Sequence, residues 1–401
     1  MISFENARKR CLAIKVPSRK IDLDIELALG HFLADFIYAP QPQPLCDNSA
    51  MDGYAVRFAD ISTPPTMLRV IEEIPAGSVP NHEVIAGTCA KIMTGAPVPR
   101  GADSVVIVEN TTPLADNRVQ INSMVKLGKN IRKGGEEFNQ GDLLLAPQKK
   151  ITPGVVGLCT SVGISQVKVY DRPKVGIIAT GDEVIPLGTP LKAGQIWSSN
   201  TMSLYTAIQQ ANGIPIDCGI AQDSVQSIRE KFHNALSAKC DIIISTGGVS
   251  VGDFDLVKTA MADMGVDIHF WKVRMKPGKP LALGTIGNVP LFGLPGNPVS
   301  CLVGFYQFVR PLIRRTLGAS YVDLPKQSAV LGHDIVKKHN RDEFFRVTLG
   351  MEKQQTTARI TGNQSSAWIS SMAYANGLLY VPAETKFLPK GTVVMVETLP
   401  E

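Results

Sequence analysis

The rhythm of apolar positions changes several times along the 401 residues. Within the first 45, Ile25, Leu29, Phe32, Leu33 and Phe36 recur at the spacing of one helix face. Pro40, Pro42 and Pro44 then end the run, because proline cannot continue a helix. From about 46 to 145, β-branched runs such as 104–108 alternate with turns at Pro75-Ala76-Gly77, Gly95-Ala96-Pro97 and Pro99-Arg100-Gly101, which predicts a strand-rich module. Residues 171–317 read differently. Runs at 174–179, 241–245 and 290–294 are short and apolar, as buried strands are, and helical patterns cover 200–212, 225–238, 254–264 and 299–313. Strands alternating with helices predict a parallel sheet covered on both faces. Short strands return at 344–348, 377–381 and 392–396. There is no internal repeat and no low-complexity tract.

This pattern predicts a multidomain α/β plus β protein. A helical linker domain is expected from 1–45 and 146–170, and a β-rich domain inserted over 46–145. A central parallel-sheet α/β domain follows over 171–317 and a small β domain over 318–401. The length agrees, since one ordinary core rarely organises so long a chain.

Composition narrows the function. Apolar residues make up 44% and charged residues 19%, as in a globular protein. A net charge of +5 suits anionic small ligands but falls short of a nucleic-acid footprint. The basic spots Arg8-Lys9-Arg10, Lys149-Lys150 and Lys337-Lys338 are short and read as solvated faces. The seven Cys are scattered, with no spacing typical of a metal knuckle or redox dithiol, and suggest reduced thiols in a cytoplasmic protein. The six His show no paired spacing, so zinc is not expected. No signal peptide and no membrane-length apolar run is expected either.

Candidate chemistry concentrates at two kinds of place. The first is 47–56, Asp47-Asn48-Ser49-Ala50-Met51-Asp52-Gly53-Tyr54-Ala55-Val56, a turn that presents Asp52 between large apolar residues expected to hold it against a core. The second is the set of strand ends in 171–317, because ligands of parallel sheets gather beyond the carboxyl ends of the strands. There stand Thr180-Gly181-Asp182-Glu183, then Thr246-Gly247-Gly248-Val249-Ser250-Val251-Gly252-Asp253-Phe254-Asp255, then Pro295-Gly296-Asn297-Pro298. The second loop suits a phosphate: glycines admit close approach, hydroxyls donate, and a helix follows. It is neither a Walker A motif nor G-x-G-x-x-G. Glu183, Asp182, Asp223 and Asp255 are candidates for Mg²⁺ beside a phosphate, or alternatively helix caps and surface charges. Lys276 and Lys279, in Lys276-Pro277-Gly278-Lys279-Pro280, form either an anion clamp or an exposed loop.

The turn at 47–56 closely resembles the signature of MoeA-type molybdopterin molybdenumtransferases, the family that includes the gephyrin E domain. Residues 171–317 resemble the MogA-like molybdopterin-binding α/β domain through Thr-Gly-Asp-Glu, Gly-Gly-Val-Ser-Val-Gly, Lys-Pro-Gly-Lys-Pro and Gly293-Leu294-Pro295-Gly296-Asn297-Pro298-Val299-Ser300. Asn48 to Val56, Met93-Thr94-Gly95-Ala96-Pro97-Val98-Pro99, Gly101-Ala102-Asp103 and Gly135-Glu136 resemble MoeA-specific modules that MogA-like proteins lack. The resemblance implies insertion of molybdate into adenylylated molybdopterin with release of AMP. It implies Mg²⁺ as cofactor, a homodimer with a composite site, and transient contacts with other proteins of molybdenum-cofactor biosynthesis. Neither nucleic acid nor membrane is an expected partner.

Carried over by residue, Asp52, Thr94 and Glu136 of one subunit face Glu183, Asp223 and Asp255 of the other. Those last three are the expected metal ligands, and all of these acids except Glu136, with Thr94, the expected catalytic set. Substrate contacts are expected from Glu136, Thr180, Asp182, Asn200, Thr246, Gly247, Gly248, Ser250, Lys276, Lys279, Pro295, Asn297, Pro298, Arg341 and Arg346. The two arginines belong to Arg341-Asp342-Glu343-Phe344-Phe345-Arg346, and edge-strand charges are the other reading of them. Ser198 stands where the family often has an acid, which leaves Asn200 either a contact or only a helix cap. Adenylyl transfer from ATP, and a non-catalytic scaffold, are the alternative functions.

Overall fold

The computed structural model describes residues 1–248, 256–352 and 354–400. The chain divides into two compact units: one is Met1–Ala34, Pro147–Pro153 and Gln166–Glu401, the other Asp35–Ala146 and Gly154–Ser165.

The first unit opens on α1 (Phe4–Ala13), started by the Ser3 side chain, which accepts from the Asn6 amide. Its α/β sheet contains β1 (Lys174–Thr180), β2 (Ile214–Ala221), β3 (Ile242–Thr246), β4 (Asp267–Phe270), β6 (Ala282–Ile286) and β7 (Val289–Leu294). The short strand β5 (Met275–Lys276) belongs elsewhere. The sheet order is β2-β1-β3-β7-β6-β4. Strand alternation decides which residues face which helices. Val175, Ile177, Ile242, Ile244, Phe292 and Leu294 pack with α2 (Ser199–Gln210) and with α5 (Pro298–Gly304). Ile178, Ile243 and Leu291 face the opposite way, against α3 (Val225–Ser237) and α4 (Leu256–Asp263). A π-helical turn, Phe305–Val309, continues α5 into α6 (Arg310–Thr316).

Strands β2, β1, β3 and β7 pair in parallel; β6 runs against them and pairs antiparallel with both β7 and β4. Ile286 pairs with Val289 across Gly287-Asn288, and a two-residue hairpin joins only antiparallel strands.

The end of this unit is a β barrel of β8 (Lys326–Leu331), β9 (Asp342–Glu352), β10 (Gln355–Ile360), β11 (Gly377–Val381) and β12 (Val393–Thr398). The ladder runs β9-β10-β8-β12-β11 and closes from β11 back to β9. Phe345, Val347, Leu379, Val381 and Val396 fill it. Strand β5 adds to the barrel beside β9 in parallel, with Lys276 opposite Glu343. The second unit carries a six-stranded mixed sheet, with Gly53–Val56 between Ser104–Ile107 and Thr88–Ile92.

Two expectations fail here. Residues 25–36 are not a helix: a single turn, Ile25–Leu27, leads into extended chain in which Phe32 bridges to Lys150 and Leu33 to Val169. Phe32 and Leu33 are buried, but Leu29 and Phe36 are exposed, so their spacing does not mark a face. The basic spots are not all solvated. Arg8 donates to the Gln307 carbonyl and pairs with Asp323, and Lys337 is buried, donating to the carbonyls of Arg341 and Pro382.

Candidate active site

In the second unit, the turn that holds Asp52 is built by sheet and side chain together. Asn48–Ser49 pairs with Ile131–Arg132, and the Ser49 carbonyl accepts from the Gly95 amide. Ser49 Oγ, fully buried, donates to the Met51 carbonyl. A Cβ on Gly53 would lie 2.0 Å from the Val106 carbonyl oxygen, so only glycine fits after Asp52. Tyr54 is buried as expected, whereas Met51 is 43% exposed and does not anchor the turn. Asp52 Oδ1 accepts from both the amide and the hydroxyl of Thr94, each at 2.7 Å. Those two bonds hold its carboxyl below the usual carboxylate range, so it stays ionised. Glu136 is exposed and accepts from the Lys133 amide.

In the first unit, the strand-end loops interlock. Thr180 and Thr246 are both 3% exposed. Thr246 Oγ1 donates to the Pro295 carbonyl, and the Gly247 amide to that of Leu294. Gly247 has φ +93°, and a Cβ there would lie 2.5 Å from the Thr180 carbonyl. Asn200 settles an open question. It sits inside α2, and its Nδ2 donates to Thr246 Oγ1 and to the Gly296 carbonyl, each at 2.8 Å. It is therefore a bridge between two loops rather than a cap.

Asp182 Oδ1 accepts from the Asp223 amide at 3.0 Å, which ties the ends of β1 and β2 together. Glu183 folds back over Gly181, its carboxylate within 3.0 Å of where a Cβ would stand. Glu183 and Asp223 are exposed. Asp255 and Ser250 lie outside the described residues. No group of three His, Cys, Asp or Glu able to hold a metal occurs among the described residues. The donors at these strand ends are carboxylate oxygens, which suit a hard divalent ion.

A cavity of ≈ 540 Å³ in this unit brings together Lys276, Lys279, Pro295, Asn297 and Arg341 with Ser300 and the segment 363–366. Three cations and several neutral donors on one concave surface make an oxyanion cradle. Asn297 Nδ2 donates to Ser366 Oγ, linking the strand-end loop to that segment. Pro298 begins α5 directly behind.

Arg346 does not line this cavity. It is 1% exposed, and its guanidinium donates to the Ser365 and Phe344 carbonyls and to Ser371 Oγ. Burial depresses its basicity to about 10. The expected substrate contact is thus a holder of the 363–366 segment. Ser300, Asn363 and Ser366 escaped the sequence reading because no motif marks them. The run Asn363-Gln364-Ser365-Ser366, polar and between strands, was the available signal.

An α/β domain with a cation-lined cavity at its strand ends, joined to a small barrel and to a separate β-rich unit, defines a multidomain α/β plus β protein. The comparisons with known proteins specify it. Residues 2–163 match the family model for the MoeA N-terminal region (domain I and II), 176–315 a probable molybdopterin binding domain, and 328–399 the MoeA C-terminal region (domain IV). The chain is 38% identical over 389 residues to molybdopterin molybdenumtransferase 2 of Mycobacterium tuberculosis, covering 94% of this chain and 95% of that one. It is 34% identical over 400 residues to the molybdopterin molybdenumtransferase of Haemophilus influenzae, covering 99% and 98%. A molybdopterin biosynthesis MoeA protein of Pyrococcus horikoshii superposes with a TM-score of 0.85 at 30% identity over 99% of both chains. The chain belongs to the MoeA family of molybdopterin molybdenumtransferases. Among its described residues no helix is long and apolar enough to cross a membrane.

Proposed function

We propose that this chain transfers molybdenum from molybdate to adenylylated molybdopterin and releases AMP, in the cytoplasm. The observation that carries this reading is the cavity in which Lys276, Lys279 and Arg341 converge with Ser300, Asn363 and Ser366. A tetrahedral dianion finds there both charge and directional donors. The strand-end loops around Thr180, Thr246 and Gly247 are the place for the pterin and its phosphates, as ligands of such sheets lie beyond the strand ends. In the reaction an oxygen from water or molybdate adds to phosphorus as the phosphoanhydride breaks and AMP leaves, and the two dithiolene sulfurs replace molybdate oxygens, which take up protons and depart as water. The protein's work is to neutralise and orient anions; no side chain needs to form a covalent intermediate.

Glu183 and Asp223, with Asp255, are the residues that would hold Mg²⁺, which would supply charge to the bridging phosphate. Asp52, Thr94 and Glu136 complete the pocket from the partner in a homodimer. Support for that assignment is the Asp52–Thr94 pair, an exposed carboxylate kept ionised by two hydrogen bonds from Thr94. The domain boundaries 1–45 with 146–170, 46–145, 171–317 and 318–401 are part of the same proposal, as are transient contacts with other proteins of the pathway.

The deciding experiment supplies purified protein with adenylylated molybdopterin, Mg²⁺ and molybdate. AMP release that depends on molybdate is expected. Product formation from ATP and free molybdopterin instead would replace this reading with adenylyl transfer.

A further inference from the structure

One carboxylate near the cradle has no place in the chemistry above. Glu343 lies on β9 and is 2% exposed. Burying a carboxylate is costly unless cations face it. Its Oε1 stands 2.8 Å from Lys276 Nζ and its Oε2 3.0 Å from His339 Nε2. The two contacts are unequal. Burial lowers the basicity of the His339 imidazole, so it stands near Glu343 mainly as a neutral wall, whereas Lys276 brings a full charge. The other charges around it are committed elsewhere. Lys337 donates to the Arg341 and Pro382 carbonyls, Arg346 to Ser365, Phe344 and Ser371, and Lys386 to the His339 carbonyl. Asp342 accepts from Tyr380 and the Ala383 amide. Lys276 is the one lysine or arginine within ion-pair distance of Glu343 among the described residues.

The placement follows from the backbone. Lys276 and Glu343 are register partners on parallel strands, so their side chains leave the same face side by side. Arg341, immediately before β9, also lines the cavity. Lysine carries its charge on a flexible four-carbon stem, and an unrestrained ammonium loses rotamer entropy whenever it grips a ligand. Lys279 and Arg341 have no carboxylate partner of this kind among the described residues.

We propose that Glu343 is the positioning residue of the oxyanion cradle: its buried carboxylate holds the Lys276 ammonium at the cavity wall, so that a tetrahedral dianion meets it already in place. The proposal rests on the oxyanion reading of that cavity. It assigns Glu343 no contact with substrate; it acts only through Lys276.

The test is molybdate binding by equilibrium dialysis, with melting temperature measured alongside, for the intact protein and for Glu343→Asp, Glu343→Gln, Lys276→Met and the two double variants. Aspartate keeps the charge and withdraws the contact by one methylene. We expect Glu343→Asp to weaken molybdate binding about tenfold, near the loss of one charge-assisted bond. The effect should vanish in the Lys276→Met background, which a general structural role would not do. Should Glu343→Asp fail to fold, Glu343→Gln in the same cycle carries the test. Undiminished loss in the double variant, or intact-like binding by Glu343→Asp beside a weakened Lys276→Met, overturns the positioning role alone. Intact-like binding by Lys276→Met overturns the cradle and the positioning role together.

Discussion

Asp52 is held by the two hydrogen bonds from Thr94 and by the glycine that follows it. A Cβ at position 53 would meet a backbone carbonyl that no rotamer change can move. Gly53→Ala is expected to destabilise the protein by at least about 1–3 kcal/mol, the usual range for forced overpacking, and urea denaturation measures it. In the first unit, Lys279 has no such constraint. Lys279→Met should leave the melting temperature nearly unchanged and weaken use of molybdate about ten- to hundredfold, as expected for one charge-assisted bond in a partly closed cleft. A molybdate titration of AMP release reads this directly; kinetics like those of the parent would return Lys279 to the solvated surface. Cationic residues with similar sequence surroundings thus differ in role. Arg341 lines a cavity, and Arg346, five residues on, is buried as a strut.

At the scale of elements, the barrel strand β12 carries a cost that pH exposes. Glu397 accepts from Gln307 on the π-helical turn at 2.6 Å, and burial raises its carboxyl above the ordinary 4.5. The folded state therefore prefers the protonated acid. Its contribution to stability is full below pH 4.5 and is lost as pH rises through the folded value. Glu397→Gln keeps an acceptor for Gln307 and removes the charge. The variant should melt higher than the parent at pH 7.5 and show no such advantage at pH 4. Equal melting temperatures at both values would mean that Arg8 and Lys326, which pull the carboxyl down, offset burial fully. The hairpin between β6 and β7 teaches a related lesson. Its strands have the apolar look of parallel core strands, and the two-residue turn Gly287-Asn288 alone makes them antiparallel.

For the whole molecule, the proposed homodimer makes a genetic prediction. Asp52→Ala and Glu183→Ala chains, each inactive, should recover part of the activity when mixed, because one pocket of the heterodimer would be intact. Absence of recovery after verified subunit exchange would argue for sites built within one chain. Exhaustive chelation should abolish turnover and added Mg²⁺ restore it, since the strand-end donors are carboxylate oxygens. Full activity of metal-free protein would remove the ion from the proposal.

The order of elements in the α/β domain, the turn around Asp52 and the glycine-bearing strand ends were legible in the sequence, because strand alternation, helix periodicity and turn chemistry are local properties of the chain. Helix α2 and helix α3 begin within a residue of where their patterns do. The false helix at 25–36 shows where locality ends: its apolar residues answer to Lys150 and Val169, more than a hundred positions away. The cradle is of the same kind. Lys276, Ser300, Arg341 and Ser366 share one cavity because the barrel strand β9 pairs with β5, and Glu343 reaches Lys276 by that pairing. Nothing local marks Glu343, which follows Asp342 and precedes Phe344 and Phe345, as a buried carboxylate. Its burial is decided by which strand lies beside it, a contact between distant segments that no periodicity encodes.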